Sequence, residues 1–85
     1  MLAQIKRHND KFFELSFGWA DKNTGNYDRT EWTELVSSIE LARQRCETNR
    51  VLHVSVIFPD GSQTVIMRNN KWDRIIQQFE DQNEA

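Results

Sequence analysis

One cysteine, Cys46, is all the sequence has, so no internal disulfide can form and no cysteine pair exists to grip a metal. Its three glycines, Gly18, Gly25 and Gly61, lie too far apart to cradle a phosphate. The two histidines, His8 and His53, have no cysteine or carboxylate at metal-ligand spacing and read as surface residues. No metal and no cofactor is therefore expected. Apolar runs are short, far from the ~20 residues of a membrane-spanning helix. The amino-terminal MLAQIKRHNDKFF also lacks the apolar stretch of a secretory leader, so the expected location is the cytoplasm. No excess of positive charge exists either. The formal net charge is −2, which argues against a dedicated nucleic-acid binder. Repeats, linkers and low-complexity tracts are lacking, and the expectation is a single small domain over residues 1–85 with a frayed tail from residue 80.

What is present is patterned. VLHVSVIFPDGSQTVIMRN, residues 51–69, sets two β-rich runs around Asp60-Gly61, a strong hairpin signal. A two-residue loop places Val56 opposite Val65 and Val54 opposite Met67. His53, Ser55, Ile57, Thr64, Ile66 and Arg68 then share the other, mixed face. The amino-terminal segment reads as a second hairpin, with strands over about residues 2–8 and 12–19. A three-residue loop sets Ile5 against Leu15, Ala3 against Phe17 and Arg7 against Phe13, and it brings Lys6 opposite Glu14. A two-residue loop would leave Ile5 facing Glu14.

Between the hairpins, Trp32, Leu35, Val36, Ile39, Ala42 and Cys46 recur at helical spacing and predict a helix over about Glu31–Glu47. Asp28 or Thr30 would cap it. A second helix is predicted over about Lys71–Gln82, with Trp72, Ile75, Ile76 and Phe79 on its apolar face and Asn70 as its cap. The expected fold is α+β, in the order ββαββα. It forms two layers, a four-stranded, mostly antiparallel sheet with both helices packed on one face.

ADKNTGNYDRTEW, residues 20–32, carries enough oxygen ligands to suggest a calcium loop. Counting from Asp21, however, puts Gly25 at a ligand position, Asn26 where the turn glycine belongs and Trp32 where a bidentate glutamate is required. Asn23, Gly25 and Asn26 are turn formers, so a polar loop leading to a helix accounts for the stretch. Calcium binding through residues 21–31 stays as a lesser alternative.

Catalysis finds little support in the sequence. Cys46 sits on the apolar stripe of the first predicted helix, as a buried structural cysteine would. No nucleophile has a base beside it in the pattern, so the chain is not expected to be an enzyme. Arg68, Lys71 and Arg74 form one basic group and Arg43, Arg45 and Arg50 another, and these would carry nucleic-acid binding as the alternative function. The main expectation is protein–protein interaction, with self-association into a homodimer. Its expected surface is His53, Ile57, Ile66 and Arg68 on the open sheet face, with Tyr27 and Asp28 in the polar loop. No residue motif ties the chain to a family. In size and architecture it resembles small accessory proteins of phages, mobile elements and toxin–immunity systems, a likeness of scale alone.

Overall fold

The computed structural model describes residues 1–67 and 72–83. Its elements are β1 (Leu2–Arg7), β2 (Phe13–Ala20), β3 (Tyr27–Val36), α1 (Ile39–Thr48), β4 (His53–Ile57), β5 (Gln63–Met67) and α2 (Trp72–Asn83). The class is α+β with two helices, as expected. The sheet has five strands rather than four, in the order β3-β2-β1-β4-β5. All neighbours are antiparallel except the central pair, β1 and β4, which run parallel. Among the described residues no helix is long and apolar enough to cross a membrane.

The additional strand is β3, where a helix was expected. Residues 32, 35, 36 and 39 have helical spacing, but period two governs. Trp32, Glu34 and Val36 face α1, while Thr33 and Leu35 face the other side. Tyr27, Thr30, Trp32, Thr33 and Val36 are all good strand residues. The helix starts later, at Ser38, whose Oγ accepts from Leu41 N–H at 3.1 Å. Asp28 and Thr30 therefore lie in a strand and cap nothing. At its far end α1 closes through Arg50 N–H to Glu47 O and Val51 N–H to Cys46 O, with Arg50 at φ 55°. This is a Schellman closure, and Val51 and Cys46 are both buried beside it.

The first hairpin has the expected register, with Ile5 opposite Leu15, Ala3 opposite Phe17 and Lys6 opposite Glu14. Its turn uses no left-handed residue at Lys11. Instead Asn9 Oδ1 accepts from Lys11 N–H at 2.8 Å and Phe12 N–H at 2.9 Å, a side-chain-built turn. The second hairpin is shifted by one residue from the expected register. Phe58 N–H donates to Ser62 O and Gly61 N–H to Phe58 O, so Pro59, Asp60 and Gly61 together form the loop, with Gly61 at φ +89°. A type I turn followed by a glycine bulge has replaced the two-residue turn. Asp60 Oδ1 fixes it by accepting from Ser62 N–H at 2.8 Å and from Ser62 Oγ at 2.6 Å. The shift pairs Val54 with Ile66 and Ser55 with Val65. Because strand side chains alternate, it carries Ile66 into the core and Val65 out to solvent.

The core lies between the sheet and the helices. Ile5, Leu15, Phe17, Val54, Val56 and Ile66 meet Ile39, Ala42 and Cys46 of α1 and Trp72, Ile75 and Phe79 of α2. A charged clasp holds α1 to β3, with Arg45 donating to both Glu34 oxygens at 2.8 Å and Trp32 Nε1 adding a bond at 2.9 Å. The Arg45 bonds, helped by Trp32, hold the Glu34 carboxyl below its ordinary value of 4.5 despite its partial burial. A depressed carboxyl stabilises the fold above that value and ceases to do so as the pH falls through its lowered one. Thermal melts across the acid range should therefore show Glu34→Gln less stable than wild type near neutrality. The gap should narrow as acid protonates Glu34 in the wild type.

Candidate functional site

The helices cover one face of the sheet and leave the other exposed. Over one end of this open face the β2–β3 connection forms a wall. Asp21 builds the loop: its Oδ1 accepts from Asn23 N–H at 2.7 Å and Thr24 N–H at 3.1 Å, and its backbone exchanges bonds with Gly25 and Asn26. One oxygen of the carboxylate at the first position of the supposed calcium loop thus holds the turn. Among the described residues no three His, Cys, Asp or Glu side chains gather as a metal site.

Behind this wall lies a hollow of about 320 Å³. Gly25, Asn26 and Tyr27 form one side of it. Leu2 and Gln4 of β1, His53 and Ser55 of β4, and Gln63 and Val65 of β5 form the rest. The register explains the grouping, since Leu2 lies beside His53, Gln4 beside Ser55, and Ser55 beside Val65. Tyr27 reaches the hollow by lying over Gly18. Its hydroxyl bonds to Thr30 Oγ1 at 2.6 Å and stands 3.0 Å from where a Gly18 Cβ would be. None of the lining side chains bears a full charge unless His53 is protonated, while amide, hydroxyl, imidazole and phenol groups are all present. Such a set can exchange hydrogen bonds with a neutral polar partner, and Leu2 and Val65 supply apolar contact.

The structure divides the six residues expected to form the interaction surface. Tyr27 and His53, distant in sequence, meet in the hollow. Ile57 is on the same open face, half-buried, between Lys6 and Gln63. Ile66 is not on that face: it is 4% exposed and belongs to the core, a consequence of the one-residue shift. Asp28 points away from Tyr27, as strand neighbours do, into a separate recess with Trp19, Asp21 and Arg29. Arg68 lies outside the described residues. Sequence reasoning missed Gln4, Gln63 and Val65. The pairing of β1 with β4 is what places Gln4, and Val65 is 64% exposed only because of the bulged turn.

The basic groups do not pool. Arg45 is held by Glu34, and Arg43 pairs with Glu47 at 3.2 Å one helical turn on. Arg50 closes α1 in a left-handed conformation. Arg74 is an exposed residue of α2, and Lys71, like Arg68, lies outside the described residues. Cys46 is buried. Burial chiefly, with Glu34 and Glu47 nearby, pushes its thiol up to about 12, far from a reactive thiolate. His8 approaches Glu14, with Nδ1 3.6 Å from Oε2.

A second cavity, of about 340 Å³, sits between α1 and α2 above Phe13. Arg7 stacks on the Phe13 ring at 4.1 Å, and Glu40 and Glu80 stand at its rim. Its lining includes none of the expected interaction residues. Compared with known proteins, the chain matches no family, no curated protein and no solved structure.

Proposed function

We propose that this chain is a non-enzymatic accessory or regulatory protein of the cytoplasm that acts by binding a protein partner through the open face of its sheet. The hollow where Tyr27 and His53 meet carries the reading. It gives a concave socket, lined by several hydrogen-bonding groups and by no carboxylate, lysine or arginine, with exposed Val65 at its border and half-buried Ile57 next along the same face. Apolar positions bordered by polar groups are how protein interfaces are assembled, and a socket able to take one side chain of the partner is where binding energy concentrates. The buried, protonated thiol of Cys46 and the pairing of Arg43 and Arg45 with carboxylates favour this reading over catalysis or nucleic-acid binding.

The test is capture from host lysate with the tagged protein, in the presence and absence of nuclease, comparing wild type with Tyr27→Ala/Ile57→Lys. Wild type should retain a stoichiometric protein after nuclease treatment. The double variant, folded by circular dichroism, should hold it at least about tenfold more weakly, as losing an aromatic anchor and inserting a charge would require. Equal capture by the folded double variant removes the open face from the mechanism. Capture abolished by nuclease transfers the function to nucleic acid.

A further inference from the structure

The two edges of the sheet are unlike. The β3 edge is long but guarded: its register with β2 is broken twice, between Phe17 and Gly18 and between Trp19 and Ala20. It also carries Asp28, Arg29, Glu31 and Glu34. Bulges and charges are the usual means of stopping a sheet edge from pairing with another chain. The β5 edge, QTVIM, has neither. Its register with β4 is unbroken, and it contains no charge and no proline.

The bonding direction of β5 follows from its turn. Phe58 N–H donates to Ser62 O, which makes that couple a hydrogen-bonded pair. Such pairs alternate along an antiparallel ladder. Thr64 and Ile66 therefore turn their backbone groups toward β4, and Gln63, Val65 and Met67 turn theirs outward. We infer that β5 pairs antiparallel with β5 of a second copy of this chain, about a two-fold axis at Val65, joining two five-stranded sheets into one. This rests on reading the chain as an interaction protein and names a partner for it.

The strand is self-complementary in that arrangement. Val65 would exchange both backbone bonds with its own counterpart, and Gln63 would do so with Met67 of the other copy. A symmetric pair needs the same patch on both subunits, and an uncharged strand centred on one residue supplies it. The pairing would also set the two Val65 side chains against each other, covering the most exposed large hydrophobic among the described residues. Gln63 and Val65 border the hollow, so the two hollows would come to lie side by side across the seam on a single broadened face.

The experiment is sedimentation velocity from low to high micromolar, on wild type, Val65→Thr and Val65→Pro. Wild type and Val65→Thr, which keep the outward N–H and a branched side chain, should dimerise. Val65→Pro removes an N–H that points away from β4, and proline is tolerable on an edge strand. It should weaken the dimer roughly tenfold to a hundredfold, since symmetry deletes two backbone bonds. A wild type that stays monomeric, or a Val65→Pro dimer as tight as wild type, overturns the pairing. Should Val65→Pro fail to fold, hydrogen exchange of the wild type decides. The Val65 amide must gain protection as concentration rises, and free exchange at dimer concentrations refutes the proposal. A monomer that still captures its protein partner leaves the open-face reading intact, whereas a dimer that captures nothing removes that reading and keeps the pairing.

Discussion

Gly18→Ala should be among the most damaging small substitutions in this protein, costing about 3 kcal/mol or more. Gly18 sits in β2 beside the first bulge, and a Cβ there would come 1.8 Å from the Arg29 carbonyl oxygen and 2.8 Å from its carbon. Those are backbone atoms of the neighbouring strand, which cannot rotate aside as a side chain does. Inserting a methyl into packed structure ordinarily costs about 1–3 kcal/mol, and a collision with backbone belongs at or beyond the top of that range. In a domain of this size 1 kcal/mol moves the melting temperature by about 4–8 °C, so the variant should melt at least about 12 °C lower. Gly61→Ala makes the control. Nothing stands within 4 Å of a Cβ at Gly61, and only its positive φ is penalised, at about 1 kcal/mol. If thermal unfolding shows Gly18→Ala no worse than Gly61→Ala, the close approach of β2 and β3 is wrong. The same substitution reaches the hollow. Tyr27 lies across Gly18, so the methyl should also push its ring out of the wall and weaken capture beyond what lost stability explains.

Gly18 and Tyr27 also mark how far the sequence could be read. Tyr27 stood out as an aromatic in a polar loop, but nothing local tied it to Gly18 or to His53. Those contacts arise from the bulged β2–β3 ladder and the parallel β1–β4 pairing, both long-range. The first hairpin was legible because one register matched apolar residues and opposite charges together: Ile5 with Leu15, and Lys6 with Glu14. The second hairpin offered only the Asp60-Gly61 signal, which suits a two-residue turn and a bulged three-residue turn alike. The choice between them exchanges Ile66 for Val65 at the surface. β3 was hidden because Trp32, Leu35, Val36 and Ile39 satisfy a helical repeat by straddling two elements. The serine pair, Ser37 and Ser38, holds the true boundary, since Ser38 caps α1. A cap residue inside a periodic apolar run was the signal that could have divided it. Cys46 was legible as buried from the stripe alone, for its half of the run is helix.

Phe79→Ala should cost about 3–5 kcal/mol, the range for emptying a fully buried aromatic site. Phe79 is 1% exposed and is the point where α2 engages both halves of the sheet. Its ring meets Phe13 of β2 nearly edge-on, at 5.1 Å and 78°, and Phe58, which follows β4, at 4.9 Å and 49°. These aromatic pairs add to the area that Phe79 buries, and all are lost in alanine. Domains have only about 0.05–0.15 kcal/mol of stability per residue, so the loss is comparable with the whole margin of so small a fold. The variant should be largely unfolded at the temperature where wild type begins to melt. Phe79→Leu fills most of the space and should lose much less, remaining folded at room temperature. Urea titration followed by circular dichroism measures both. A cost below about 1 kcal/mol for alanine would mean that α2 does not dock on Phe13 and Phe58. Phe79→Leu also separates stability from binding. The hollow lies on the opposite face of the sheet, so the leucine variant, once folded, should capture the partner as wild type does. The pair Tyr27→Ala/Ile57→Lys should do the reverse, losing the partner while keeping the fold. Those opposite responses are what a sheet with one face for its core and the other for its partner requires.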